Sequence, residues 1–354
     1  MLCNIRIPNR LQTNLQAPEF GNLIGISVRD QKIYFWERIS ETASPGRYNN
    51  RTFMSFWRVE PTFPTSWDNF TTLRLSDTSR RHWFVTFNLK GTKIALYQCD
   101  PNQRFPSLTL LDLKTLKSEE IQLPLFVRDD MVTHFEHRPR LYISWKFAET
   151  CLGWIAAGMD SRQGRIEIFQ LNTSSGAVLL IELVADRFSW ITFTQHSVYL
   201  GGLSETSAYR LTAYHFERRI TIQRVFGQNV LPVYPVSSVR PLASTENLYM
   251  TGLWQGTNRL CAVDEKCLGI GADNLIGDIG VVNGKSRLAC EAGLLVVQKP
   301  SSEWLSLYAV RVPSLRFLCL LSVQEAVRRS LPQSGGISKE SLRDVLGLKD
   351  IAYL

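Results

Sequence analysis

The stretch that decides the fold runs from His82 to Leu123 and reads HWFVTFNLKGTKIALYQCDPNQRFPSLTLLDLKTLKSEEIQL. It contains four short segments rich in β-branched, aromatic and aliphatic residues, separated by turn residues such as Lys90-Gly91. Such segments favour strands over helices. Four strands in about forty residues are typical of one blade of a β-propeller.

Similar units recur on both sides of this stretch. One precedes it, from Leu23 to Leu75, and four follow it, beginning at Leu141, Phe188, Val239 and Ser286. A period of about fifty residues indicates a repeat architecture. The pattern predicts an all-β propeller over residues 1–312, with six blades, or seven as the alternative count. A pair of β-sandwiches is the competing interpretation of the same short strands.

The N-terminus supplies a candidate closing strand. Cys3, Ile5 and Ile7 alternate with Asn4 and Arg6, as expected of a half-buried strand. This strand would complete the last blade. The segment from Leu315 to Val323 would then not be needed as a strand.

Composition narrows the functional class. The chain has 354 residues, 44% of them hydrophobic and 20% charged, which are values of a folded globular protein. The net charge of +8 is spread out, with only doublets such as Arg80-Arg81 and Arg328-Arg329. Because a nucleic-acid footprint needs a dense basic stripe, we expect no nucleic-acid partner.

The N-terminus lacks the pattern of a signal peptide, and no window of eighteen apolar residues predicts a membrane span. The seven cysteines are widely spread, with no Cys-x-x-Cys pair. This pattern favours reduced thiols over disulfides or a zinc site. We therefore expect a cytoplasmic protein, with the nucleus as the alternative, and no membrane partner.

The apolar residues of the segment from Ser314 to Val323, SLRFLCLLSV, fit both the two-residue period of a strand and the 3.6-residue period of a helix. Alternation of its apolar residues would suit the outer strand of the last blade. Leu315, Cys319, Val323 and Ala326 instead share one face of a helix, and this pattern continues where the alternation fails. Pro313 and Ser314 are suitable for a helix start, and Pro332 follows its end. A second helix is predicted from Ser338 to about Leu346, so residues 313–354 form a small α-helical module.

The segment has a small residue, Ser314, followed by Leu315, by Cys319 four positions later, and by Val323 after four more. This pattern resembles the elongin-binding box of SOCS-box proteins. The start Val312-Pro313-Ser314-Leu315 is similar to that of WD-repeat SOCS-box proteins. The Gly-His and Trp-Asp marks of typical WD repeats are absent, since Trp67-Asp68 stands alone in a predicted loop. The repeats are therefore divergent WD-like repeats, or they belong to another propeller family.

The resemblance implies partners and residue roles. Leu315 would enter a pocket on elongin C, Cys319 would pack beside it, and Ser314 and Val323 would extend the contact. Family members usually carry Arg after the Cys and a proline-containing cullin motif downstream. Here Leu320 follows the Cys, and the residues available for a cullin are Leu346, Leu348 and Ile351.

Catalytic and ligand motifs are weak in this sequence. His134 and His137 have no evident third metal ligand. The segment Gly269–Gly277 lacks the Lys-Ser/Thr of a phosphate loop and is interpreted as an inter-blade loop. The sequence therefore predicts no metal, no cofactor and no catalytic residue.

Three functional hypotheses follow. In the first, the chain is the substrate-recognition subunit of an elongin B/C cullin-RING ubiquitin ligase, which binds an unidentified protein substrate and leaves catalysis to partner subunits. The alternative is a non-catalytic propeller scaffold without a ligase link. A propeller hydrolase is the third hypothesis, although no paired acidic motif supports it.

Overall fold

The computed structural model describes strands and the turns between many of them. The described residues are 3–6, 23–29, 32–41, 51–59, 68–75, 82–99, 107–124, 144–160, 165–184, 190–203, 208–226, 240–254, 257–270, 275–279, 287–291, 293–298 and 304–310. Every helix or strand element in these ranges is a β-strand.

Within these ranges, twenty-four strands form six antiparallel sheets of four strands each. The first strand is β1 (Cys3–Arg6). Blade 1 contains β2 (Leu23–Arg29), β3 (Lys32–Glu41), β4 (Arg51–Val59) and β5 (Asp68–Leu75). Blade 2 contains β6 (His82–Phe87), β7 (Lys93–Cys99), β8 (Ser107–Asp112) and β9 (Ser118–Gln122). Blade 3 contains β10 (Ser144–Thr150), β11 (Gly153–Asp160), β12 (Arg165–Asn172) and β13 (Gly176–Val184). Blade 4 contains β14 (Trp190–Phe193), β15 (Ser197–Leu203), β16 (Tyr209–His215) and β17 (Ile220–Phe226). Blade 5 contains β18 (Arg240–Ala243), β19 (Leu248–Trp254), β20 (Thr257–Ala262) and β21 (Leu275–Asp278). Blade 6 contains β22 (Arg287–Glu291), β23 (Leu294–Gln298) and β24 (Trp304–Ala309), together with β1.

This strand order is that of a six-bladed β-propeller. Each of the first five sheets uses four consecutive strands, and the sixth takes its fourth strand from the N-terminus. The predicted blade count is therefore confirmed, and the sandwich interpretation is wrong. The predicted closing strand is also confirmed, since β1 pairs with β24 in the register Cys3 to Leu307 and Arg6 to Trp304.

The chain divides into two compact units. Blades 1 and 6 belong to the terminal unit, residues 1–79 and 283–354. Blades 2 to 5 belong to the central unit, residues 80–282.

Burial decreases from the middle strands of a blade to its outer strand. In the central unit, β12 buries Ile166 to Phe169 without interruption, whereas β17 exposes most of its side chains. Mainly apolar segments therefore mark strands enclosed on both faces, and polar sequences such as Ser118–Gln122 mark outer strands. One core cluster of the central unit joins blades 3 and 4 through Ile155, Ile168, Val198 and Tyr214.

Neighbouring blades of the central unit are linked through their first turns. The backbone N–H of Leu89 donates to Glu149 of the next blade at 2.8 Å. The N–H of Cys151 donates to the carbonyl of Gln195 at 2.8 Å, and that of Gln195 donates to Thr245 at 2.6 Å. Each link spans two blades, so these turns hold their neighbours at fixed positions.

Two sequence-based interpretations of loops are wrong. The segment Gly269–Gly277 does not connect blades, because Leu275–Asp278 is the outer strand of blade 5. A tight turn closed between Asp264 and Gly269 leads towards it, and a register shift at Leu260/Cys261 accommodates the strand. Asp68 does not lie in a loop either, since it is the first residue of β5 and pairs with Arg58.

Candidate functional site

The elongin-binding residues predicted from sequence, Ser314, Leu315, Cys319 and Val323, lie outside the described residues, which end at residue 310. The same holds for the cullin-contacting candidates Leu346, Leu348 and Ile351 and for the whole predicted helical module. What the structure describes is blade 6, whose strand β24 precedes this segment in the sequence.

Blade 6 is a complete four-stranded sheet before the chain reaches Ser314. Its strand β23 is buried along its full length, and the N–H of Val310 donates to the carbonyl of Gly293 at 2.8 Å. The position beside β24 is filled by β1. This is the place that the alternative strand interpretation gave to residues 314–323.

A second candidate site lies in the central unit, where Cys151, His196 and Glu217 come together. Cys151 lies in the turn between β10 and β11 of blade 3. His196 and Glu217 lie in the β14–β15 and β16–β17 turns of blade 4. All three turns lie at the same end of their blades, because the chain reverses direction at every turn of an antiparallel sheet and so returns to the same end at the first and third turns.

Local sequence explains the tight turn at Cys151. The hydroxyl of Thr150 accepts a hydrogen bond from the N–H of Leu152 and donates to the carbonyl of Gly153, at 3.2 and 3.1 Å. Gly153 has a φ of 86°, a left-handed conformation that glycine adopts without steric cost. The turn therefore presents Cys151 at a defined position.

Backbone hydrogen bonds hold the other two turns against it. The N–H of Cys151 bonds to Gln195, the residue before His196, and the N–H of Phe216 donates to the carbonyl of His196 at 2.9 Å. Glu217 follows Phe216 directly. The three side chains are thus placed by one connected network of main-chain contacts.

The side chains are close, polar and partly open to solvent. His196 Nδ1 lies 3.5 Å from Glu217 Oε1, and these side chains are 48% and 65% exposed. One potential ligand atom of each residue lies within 4.8 Å of those of the other two. Burial, followed by the negative charge of Glu217, raises the pKa of the Cys151 thiol above its ordinary value. Without a cation nearby, the thiol is therefore kept protonated.

The sequence pattern does not point to this cluster. The histidines that stand out in the sequence are His134 and His137, which lie outside the described residues, because ligands close in sequence are the easiest to recognise. Cys151, His196 and Glu217 fall in three separate turns of two blades. All three residues occupy first or third turns of adjacent blades, a relationship that becomes visible only when the strand order is known.

Two buried tyrosines lie in the core that joins blades 4 and 5. Tyr199 donates to Glu265 Oε1 at 3.2 Å, and Tyr209 accepts a hydrogen bond from Trp190 Nε1 at 3.1 Å. Burial raises the pKa of both phenols far above the ordinary value. They remain neutral and bonded within the core, which indicates a structural role.

No family model and no curated protein matches this sequence. Among solved structures, the chain is similar to TolB from Acinetobacter baumannii, with 12% identity, a TM-score of 0.40, and coverage of 68% of this chain and 51% of TolB. The chain thus spans about half the length of that protein.

Two further similarities cover most of both chains. The β-propeller domain of the Trilobed protease from Pyrococcus furiosus is 11% identical, with a TM-score of 0.44 and 81% of each chain covered. A protein from Lactobacillus plantarum is 11% identical, with a TM-score of 0.46 and coverage of 83% and 82%. At this level the similarities say nothing about activity or ligands, and the strand order alone establishes the fold.

Within the described residues, no helix has the length and apolar character that a membrane crossing requires.

Proposed function

We propose that this chain is the substrate-recognition subunit of an elongin B/C cullin-RING ubiquitin ligase. The propeller binds a protein substrate, and the segment from Ser314 to Val323 docks on elongin C as a helix. The chain itself performs no catalysis and needs no cofactor. The β-propeller fold suits such a role, because its loops and outer strands offer large surfaces for protein contacts.

The pairing of β1 with β24 is the structural observation that supports this proposal. Because β1 supplies the fourth strand of blade 6, the sheet does not require residues 314–323. Ser314 follows the last described residue, Val310, by four positions. A segment with an apolar stripe directly after a complete blade is well placed to act as a helix-in-groove ligand.

The residue roles follow the sequence pattern. Leu315 enters the elongin C pocket, Cys319 packs against its edge, and Val323 adds a contact one turn further along the helix. Leu346, Leu348 and Ile351 contact the cullin. Substrate capture and ligase assembly would take place in the cytoplasm, with the nucleus as the alternative.

Co-purification of the full chain with elongins B and C tests the proposal. Two anchor residues of a docking helix each carry about 2 kcal/mol, so the double variant Leu315→Ala, Cys319→Ala should lose about 4 kcal/mol and bind elongin several hundredfold more weakly. Undiminished capture by this variant would overturn the proposal.

The chain offers a matched control on the propeller surface. Leu116 is 56% exposed and Cys267 is exposed and free, so the double variant Leu116→Ala, Cys267→Ala makes the same chemical change at residues outside the docking segment. It should retain elongin binding. Equal losses in both double variants would show that the effect is not specific to the segment.

The alternative function is a propeller scaffold without a ligase link. The outer strand β13 favours protein binding of some kind, since it leaves Val178 and Leu179 about half exposed. Failure of the wild-type chain to capture elongins, together with retention of other protein partners, would support the scaffold.

A further inference from the structure

We infer that Cys151, His196 and Glu217 form a binding site for a zinc ion between blades 3 and 4. The thiolate, the imidazole and the carboxylate would supply three ligands, and the fourth position would be open to water or an exogenous ligand. This inference does not depend on the proposed ligase function, and it departs from the absence of a metal predicted from sequence.

The distances suit a tetrahedral ion. With metal–ligand bonds of about 2.0–2.3 Å, the ligand atoms of a zinc site lie roughly 3.3–3.8 Å apart. His196 Nδ1 and Glu217 Oε1 are already 3.5 Å apart, and the whole set lies within 4.8 Å. Because His196 and Glu217 are exposed, small side-chain rotations can bring all three onto one ion.

The backbone beneath the ligands is already organised. The hydrogen bonds from Cys151 to Gln195 and from Phe216 to His196 fix the three turns relative to each other. A preformed arrangement of this kind reduces the conformational entropy that metal binding would otherwise cost. The cluster therefore differs from a chance grouping of mobile surface side chains.

The ligand chemistry selects the metal. A soft thiolate together with an imidazole favours zinc over magnesium and calcium, which prefer sets of oxygen ligands. Within the described part of the chain, no fourth His, Cys, Asp or Glu joins the group. Three protein ligands with one open position are the arrangement of an accessible zinc centre rather than a closed structural one.

Cobalt and zinc titrations of the metal-free full chain test the inference. Co²⁺ should bind at one ion per chain and produce a thiolate charge-transfer band in the near ultraviolet, which Zn²⁺ then abolishes by displacement. Zn²⁺ affinity is measured by competition with a chromogenic chelator. Zinc should also raise the midpoint of thermal unfolding, because it binds only the folded state.

Variants identify the ligands. Cys151→Ser should abolish the band. His196→Ala and Glu217→Gln should each weaken zinc binding by more than about tenfold, since even substitution of a residue that only hydrogen-bonds to a metal ligand lowers metal affinity by about that factor. Cys267→Ser is the matched control, because Cys267 is a free, exposed cysteine of the same unit. This variant should bind as the wild type does.

Three outcomes would overturn the inference. They are an absent band in the wild type, a band that survives Cys151→Ser, and a band lost in Cys267→Ser. Circular dichroism of each metal-free variant checks that the fold is intact. If Cys151→Ser does not fold, the exposed-site variants His196→Ala and Glu217→Gln decide the question, and wild-type affinity in both would contradict the site.

Discussion

Arg29 Nη1 lies 3.1 Å from Glu291 Oε2, so a salt bridge joins the first strand of blade 1 to the first strand of blade 6. The two side chains are 19% and 9% exposed. The residues are separated by most of the sequence, yet both belong to the terminal unit. The contact therefore links the beginning and the end of the repeat array.

Replacement of Glu291 with Ala should destabilise the protein by about 1.5–3 kcal/mol, because a largely buried guanidinium loses a charged partner. Unfolding in urea measures this change. Glu182→Ala is the control, since Glu182 pairs with Arg165 across exposed parts of β12 and β13. Glu182→Ala should lower the free energy of unfolding by less than about 1 kcal/mol. Equal costs for the two variants would contradict the expected importance of burial.

Gly201 should not tolerate a larger residue. It lies opposite Trp190 in the β14–β15 pair, where an added Cβ would overlap the indole ring and approach the Tyr209 hydroxyl to 2.5 Å. Overpacking of this kind costs about 1–3 kcal/mol, so Gly201→Ala should lower the urea midpoint accordingly. In a Trp190→Phe background the same change should cost at least about 0.5 kcal/mol less. The absence of such coupling would show that the clash is relieved elsewhere.

Removal of residues 1–7 should destabilise blade 6. The truncation leaves the edge of β24 without its β1 partner, and exposed edges promote association between chains. We expect the free energy of unfolding to fall by more than about 1 kcal/mol, which for a chain of 354 residues lowers the thermal midpoint by roughly 1–2 °C or more, and broader elution in gel filtration. A synthetic peptide of residues 1–8 added in trans should restore the midpoint. A peptide of scrambled order is the control, and equal rescue by both would count against specific pairing.

Stability should fall in alkaline solution because of Cys261. Burial raises the pKa of this thiol to about 11, against the smaller lowering effect of Arg259. In the unfolded chain the thiol ionises near pH 9, so between pH 9 and 11 the unfolded state binds fewer protons and is favoured. At about pH 10 this effect amounts to about 1 kcal/mol.

The variant Cys261→Val should lack this contribution. Its urea midpoint should fall less than that of the wild type between a pH below 9 and about pH 10. The other alkaline groups, among them Tyr199 and Tyr209, remain in both proteins and cancel in the comparison. Parallel pH profiles for the two proteins would show that Cys261 does not titrate in this way.

The sequence predicts the repeat well because each blade carries its own signal. Leu294–Gln298 is a strand both in the sequence-based prediction and in the structure. Its first four residues are apolar, which favours a buried strand, and all five side chains are buried. The closing strand was also found, because Cys3 to Arg6 alternates as an edge strand does. These predictions rest on contacts within one sheet.

The strand Leu275–Asp278 and the Cys151 cluster could not be predicted for different physical reasons. The strand is short, follows glycines and pairs through an irregular register, so its propensity is weak. The cluster exists only because blades 3 and 4 pack side by side and their turns share hydrogen bonds. Proximity of that kind depends on the packing of repeats and leaves no local pattern in the sequence.

The pairing of Ile5 with Leu305 also determines when blade 6 can receive its fourth strand during synthesis of the chain. At about 5–20 residues per second, a ribosome needs roughly 15–60 s to reach Leu305 after it has added Ile5. Throughout this interval the N-terminal segment has no partner strand in blade 6, while the sheets of the central unit can already form. A chaperone that shields this segment during synthesis would therefore act before the step that gives blade 6 its fourth strand.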